Sequence, residues 1–290
     1  MIVGLFVYMD DFYGWDYRDN MVFYYGWWWF GQPVKLLWFW EDILCPFDNE
    51  KQKHSQQLKI ISFWVNIKDG SISLPPSSIT DIVEKINQFI STPNQKPLLQ
   101  DWQCLMGHLN WLLNVLPWGH PAPLELYHKI SEKSLPSHGL FINAEVKSNL
   151  MWLASIIPRL IRARFVNSSQ WVNSEADLVV WTDASLHLAL SSVYGNNRFI
   201  YQLHECPLNI NIDIFFLEFL AIMSMIHHIG SFTLPPKHVL IFTDSLDAVA
   251  VFNSLYANET IHNGPLLGVA SVILHTGIDL QQNIQADLLS

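Results

Sequence analysis

Four acidic residues in the second half of the chain each sit on an otherwise apolar stretch. Asp183 ends the run in Leu178-Val-Val-Trp-Thr-Asp-Ala-Ser185, and Glu218 lies inside Ile214-Phe-Phe-Leu-Glu-Phe-Leu-Ala-Ile222. Asp244 follows Val239-Leu-Ile-Phe-Thr, and Asp287 falls in Asn283-Ile-Gln-Ala-Asp-Leu-Leu-Ser290. Carboxylates gathered by apolar scaffolding repel one another in a poorly hydrated cleft unless cations neutralise them. An oxygen-only ligand set points to Mg2+ or Mn2+. A fifth and a sixth acid, Asp10 and Asp11, interrupt the apolar start Ile2-Val-Gly-Leu-Phe-Val-Tyr-Met9, where a tight turn between two strands would hold both carboxylates at its tip.

The scaffold that positions these acids has material enough for a core, since 290 residues are 50% hydrophobic. No apolar run reaches the roughly 18 residues that a bilayer-spanning helix needs. Asp10 and Asp11 also fall too early for a signal-peptide layout, so the expectation is an intracellular protein, cytoplasmic or nuclear, with no membrane partner. Cys45, Cys104 and Cys206 stand far apart and form no paired motif, which argues against a zinc knuckle or a disulfide framework. The net charge of -10 weighs against a protein that grips nucleic acid by cations alone. From Glu175 onward the permanent cations are Arg198 and Lys237 against eleven acids, a net charge of -9 for that part. A polyanion would have to reach it through metal ions or through other parts of the chain. The one short basic run, Arg159, Arg162 and Arg164, reads as a phosphate contact or as a charged linker rim.

The elements follow from periodicity. An apolar hairpin opens the chain, and the aromatic stretch 22–40 reads as a buried or partner-covered patch, or else as a base-stacking platform with Lys35 as its only cation. Leu58 to Ile67 and Ile72 to Leu74 read as strands joined by an Asp-Gly turn. Helices are expected from Ser78 or Thr80 to Ile90, from Asp101 to Val115 and from Ala144 to Ile161, each with apolar residues at helical spacing. His108 and His120 lack acids at ligand spacing and read as structural or exposed. Residues 166–176, rich in Asn and Ser, read as a linker between a first part, 1–165, and a second, 177–290. In the second part the acid-bearing strand leads into a meander that turns at Gly195-Asn-Asn197. A helix from Ile212 to Ile229, a central strand from Val239 to Phe242 and helices Leu246 to Leu255 and Gly264 to His275 follow.

The tetrad Tyr8-Met9-Asp10-Asp11, with Phe12, Gly14 and Trp15 after it, resembles the polymerase hairpin of reverse transcriptases, in particular those of DIRS-like and gypsy-like retrotransposons. Leu105-Met-Gly-His-Leu-Asn-Trp111, then Pro117 and Leu124-Glu-Leu-Tyr127, is similar to their thumb and connection region. Over residues 177–290 the order of strand with Asp, hairpin, helix with Glu, strand with Asp and late helix with Asp resembles the ribonuclease H family. The words Thr-Asp-Ala-Ser, Thr-Asp-Ser and Asn-x-x-Ala-Asp-x-Leu-Ser are those of its retrotransposon branch. The resemblance implies an α+β chain with a ribonuclease H-like mixed sheet and flanking helices, preceded by a partial palm hairpin and thumb and connection helices. It implies that Asp183, Glu218, Asp244 and Asp287 hold two Mg2+ or Mn2+ ions and cleave RNA in RNA–DNA hybrids. The palm would lack the strand carrying the first polymerase aspartate, so polymerase activity is not expected without the missing part or another copy. The family's final strand and histidine loop have no counterpart between Leu280 and Asn283, which implies a lost fifth strand and makes Asp287 the least well placed acid. The rival reading is an inactive retroelement remnant that acts, if at all, as a protein-interaction module.

Overall fold

Residues 5–8, 11–48, 51–68, 70–159, 163–164, 171–186, 189–202, 204, 212–257, 259–278, 280 and 285–286 are described by the structure, a computed structural model. The chain is of mixed α+β type and divides into two compact units, Met1–Lys68 and Asp69–Ser290.

The first unit is built from hairpins. β1 (Leu5–Tyr8) and β2 (Asp11–Gly14) pair antiparallel as expected, closing at Tyr8 opposite Asp11. β3 (Met21–Tyr24) and β4 (Trp27–Phe30) pair around Tyr25 and Gly26, both at positive φ, the backbone that a tight two-residue hairpin turn requires. Helix α1 (Gly31–Asp42) lays Val34 and Leu37 against Tyr24, Val22 and Trp29. Pro33 is tolerated because it sits in the first turn, where its missing N–H has no partner to lose. The aromatic stretch is nonetheless not buried within the chain: Phe23, Tyr25, Trp27, Trp28, Trp38 and Phe39 are all exposed. One small hairpin and one helix offer too few inward positions for so many rings. The expected strand Leu58 to Ile67 is instead a hairpin, β5 (Gln57–Ile60) with β6 (Phe63–Asn66). Ile61 and Ser62 make its turn at positive φ, a conformation that neither residue type announces.

In the second unit β7 (Ser71–Ser73) pairs with β8 (Ala163–Arg164). Four helices follow the apolar spacing of the sequence: α2 (Pro76–Ile90), α3 (Leu99–Leu113), α4 (Leu124–Ile130) and α5 (Ala144–Ile156). Helix α2 starts ahead of Ser78 because Pro76 occupies its first turn, and α5 is capped by the Asn143 side chain, which accepts the Val146 N–H at 2.9 Å.

The five-stranded sheet carries the acids. β9 (Leu178–Ala184), β10 (Ala189–Tyr194) and β11 (Asn197–Gln202) form the expected antiparallel meander, with Gly195 at φ 52 in the second turn. β12 (Val239–Thr243) pairs parallel with β9, and β13 (Gln285–Ala286) pairs parallel with β12, for the order β11-β10-β9-β12-β13. The expected loss of the fifth strand is therefore corrected, with Gln285–Ala286 extended beside β12 where the sequence reading has a helix, while residues 281–284 and 287–290 lie outside the described residues. An edge on β12 would leave backbone N–H and C=O groups unpaired, and the tail supplies two residues that pair with them. Helix α6 (Ile214–Gly230) packs on β9 and β10 with one side and on α8 (Thr260–Thr276) with another, which explains its nearly continuous apolar sequence. Helix α7 (Leu246–Ser254) follows β12 directly. The core joins Val180 and Ile241 of the sheet to Phe219, Ile222 and Ile226 of α6 and to Leu266, Val269 and Ile273 of α8. None of the described helices is long and apolar enough to cross a membrane.

Candidate metal centre

The parallel register of β9 and β12 aligns two of the acids. Trp181 lies opposite Phe242, and Asp183 and Asp244 are each two residues further on, so both carboxylates emerge at the same level at the C-terminal ends of neighbouring strands. Crevices form at such strand ends because the connections that follow lead away from the sheet. The sequence carries this alignment as a repeated word, Trp181-Thr182-Asp183 and Phe242-Thr243-Asp244. Thr182 and Thr243 are buried, while Trp181 and Phe242 stack with ring centroids 5.7 Å apart and planes 15° from parallel. The stacked pair is a feature that the acid pattern alone did not single out. Its signal was the aromatic residue two positions before each acid, since side chains two apart on a strand share a face.

Glu218 reaches the same point from α6. It sits among Leu217, Phe219 and Ala221, and the fold buries it to 4% exposure, whereas Asp183 and Asp244 are exposed. The Asp213 side chain caps this helix by accepting the Phe216 N–H at 2.7 Å, which fixes where its first turns begin. Ala184 N–H donates to Glu218 Oε1 at 2.9 Å, so the strand that carries Asp183 also holds the glutamate. Its other oxygen, Oε2, is buried without a hydrogen-bond partner. One ligand oxygen from each of Asp183, Glu218 and Asp244 lies within 4.8 Å of the others, so the triad could hold a metal ion. Burial pushes the Glu218 carboxyl up to about 7, and the Asp244 and Asp183 charges add to the rise, against the lowering effect of the Ala184 hydrogen bond.

A cation fits this donor set on physical grounds. Three carboxylates converge, and one buried oxygen lacks a donor, so a divalent ion would relieve both the repulsion and the unmet polar group. The fourth predicted acid, Asp287, lies outside the described residues, although Gln285–Ala286 pairs beside Phe242 and Thr243, immediately before Asp244 in the chain. Ser245, next to Asp244, caps α7 by accepting the Ala248 N–H at 3.2 Å and thereby fixes the turn on which Asp244 stands.

The other predicted residues are described only in part. Of the hairpin tetrad, Met9 and Asp10 lie outside the described residues, and Tyr8 and Asp11 are described as paired backbone only. Arg159 is exposed, with Nη1 at 3.2 Å from His275 Nε2. Arg162 lies outside the described residues, and Arg164 contributes backbone to β8. His108 is half-buried and bonds to Lys85 and to the Cys104 carbonyl. Neither family models nor curated proteins yield a match to this chain.

Proposed function

We propose that residues 177–290 form a ribonuclease H-like domain, retrotransposon in type, that hydrolyses RNA within RNA–DNA hybrids with Mg2+ or Mn2+. The observation that carries this reading is the meeting of Asp183, Glu218 and Asp244 at the C-terminal ends of β9 and β12, each delivered by the element that the resemblance assigns to it. The strand order, with an antiparallel meander leading into parallel strands, is what that family reading requires. Tyr8 to Asp11 in a hairpin is likewise consistent with a remnant of a reverse-transcriptase palm.

Bound divalent ions would supply a nucleophilic water at neutral pH and neutralise charge on the reacting phosphate. The chain's own groups have separate tasks. Asp183 and Asp244, being exposed, face the substrate side, and their fixed register sets the spacing at which ions are held. Glu218 is anchored through Ala184 and gives the site its buried wall. The negative charge of this part leaves phosphate approach dependent on the metal-loaded state.

The test is cleavage of a labelled RNA–DNA hybrid by purified protein across Mg2+ and Mn2+ concentrations. The expected result is metal-dependent cutting of the RNA strand alone. Absence of cutting with either metal, in protein that binds the ion, would overturn the enzymatic reading and favour an inactive remnant.

A further inference from the structure

The sheet that carries the triad has one packed face and one open face. Alternation along the strands turns Val180, Thr182, Leu190, Ser192, Ile241 and Thr243 toward the helices, and all six are buried. The opposite face carries Trp181 and Asp183 of β9, Val193 of β10, Arg198 and Ile200 of β11, and Phe242 of β12. Trp181 is 46% and Ile200 73% exposed, and Asp183 and Arg198 are exposed as well. A sheet open on one side ordinarily alternates apolar inward with polar outward. Here Trp181 and Phe242 stand at outward positions of the two central strands, which leaves aromatic surface in water unless something covers it.

The register places these side chains in one row. Arg198 lies opposite Val193, Val193 opposite Trp181, and Trp181 opposite Phe242, so the row crosses four neighbouring strands from a cation to a stacked ring pair. Asp183 and Asp244 stand two residues further along the strands of the two rings, a rise of about 6.6 Å. Among the described residues no carboxylate lies within ion-pair distance of Arg198. An apolar helix laid on this face would bury that guanidinium and the two acids without partners, at a high desolvation cost. A nucleotide matches all three features: its base is a flat ring for Trp181 and Phe242, and its phosphates suit Arg198 on one side and the metal-loaded triad on the other.

From this geometry we infer that Trp181, Phe242 and Arg198 bind an unpaired nucleotide of the RNA strand beside the metal centre, so that the favoured substrate is a hybrid with a single-stranded RNA extension. Bases within a hybrid are already stacked and paired, and only an unpaired base presents its face to a protein ring. Stacking needs no cations, which fits a part of the chain whose acids far outnumber its Lys and Arg. This assignment rests on the nuclease reading of the triad for the choice of RNA, and adds which part of the substrate the sheet recognises.

Binding and cleavage are measured separately on the full chain. Anisotropy titrations in Ca2+, an ion that also takes oxygen ligands, compare a labelled blunt RNA–DNA hybrid, the same hybrid with an unpaired RNA tail, and the hybrid with that tail built of abasic nucleotides. A second set in Mg2+ and Mn2+ follows cutting. The tailed hybrid should bind about tenfold tighter than the blunt or abasic-tailed one, an advantage lost in Trp181→Ala and largely kept in Trp181→Phe. Arg198→Ala should weaken the tailed and abasic-tailed hybrids alike and flatten the salt dependence. Both residues are exposed, so each variant should keep its cooperative melting transition. Equal binding of the tailed and abasic-tailed hybrids, or a tail advantage unchanged in Trp181→Ala, would overturn the stacking site whether or not the hybrid is cut. A tail advantage without cutting in either metal would sustain the stacking site and overturn the nuclease reading alone. A dimer in sedimentation that Trp181→Ala dissociates would overturn the nucleotide site and assign the face to a second copy of the chain.

Discussion

Glu218 decides how the acidic triad responds to pH. Its carboxyl ionises near 7 in the folded protein against an ordinary value of 4.5, so the metal-free fold retains the proton more tightly than the unfolded chain does. That stabilisation is present below about pH 4.5 and is lost as pH rises through 7, a decline of roughly 3 kcal/mol at most. Thermal melts in chelator should show this fall, and Glu218→Gln should flatten it; a melting temperature that rises across the same range would contradict the assignment. Asp183→Asn tests the neighbouring carboxylate differently. Under the proposed function hybrid cleavage should drop by about a hundredfold or more, while stability stays level or increases because one like charge is gone. A large loss of stability would show that Asp183 is structural.

Local caps and short strands set the precision of the site. Ser245 holds the start of α7 directly after Asp244, so Ser245→Ala should cost about 1 kcal/mol in denaturant unfolding and weaken metal binding in calorimetry as well. Loss of stability without any change in metal affinity would separate the cap from the site. Ile241 belongs to the central strand and is wholly buried against Val180 and α6, so Ile241→Ala should cost about 2–5 kcal/mol, read from the same unfolding curves. Among the elements, β13 departs furthest from the sequence reading. Two residues of tail pair with Phe242 and Thr243, a contact that depends on the open edge of β12 rather than on any pattern near Gln285.

The division of the whole chain places α2 to α5 in the same unit as the five-stranded sheet. Part of the bond between them is specific: Asn263 of α8, 1% exposed, donates to the Pro121 carbonyl at 3.0 Å. A fragment spanning 177–290 would leave that amide without its partner and uncover the side of α8 that α4 touches. It should therefore melt at a lower temperature than a fragment spanning 69–290, which should unfold in one cooperative transition. Equal melting temperatures would show that the helices before residue 166 contribute nothing to the sheet.

The amino-acid sequence by itself determined the element types of the second part, because the length and bounds of apolar runs are written locally: β9, β10, β12 and α6 follow directly from them. It also singled out Asp183, Glu218 and Asp244, since an acid inside an apolar run is costly without a partner. What it lacked was any local signal for contacts between distant segments. The turn at Ile61 and Ser62 and the pairing of Gln285–Ala286 with β12 are each set by what the neighbouring element leaves open. Only the tertiary structure decided them, because burial, edge pairing and like-charge proximity are properties of surfaces that exist once the chain has packed. The shared depth of Asp183 and Asp244 came from the same source, a parallel register that no residue encodes alone.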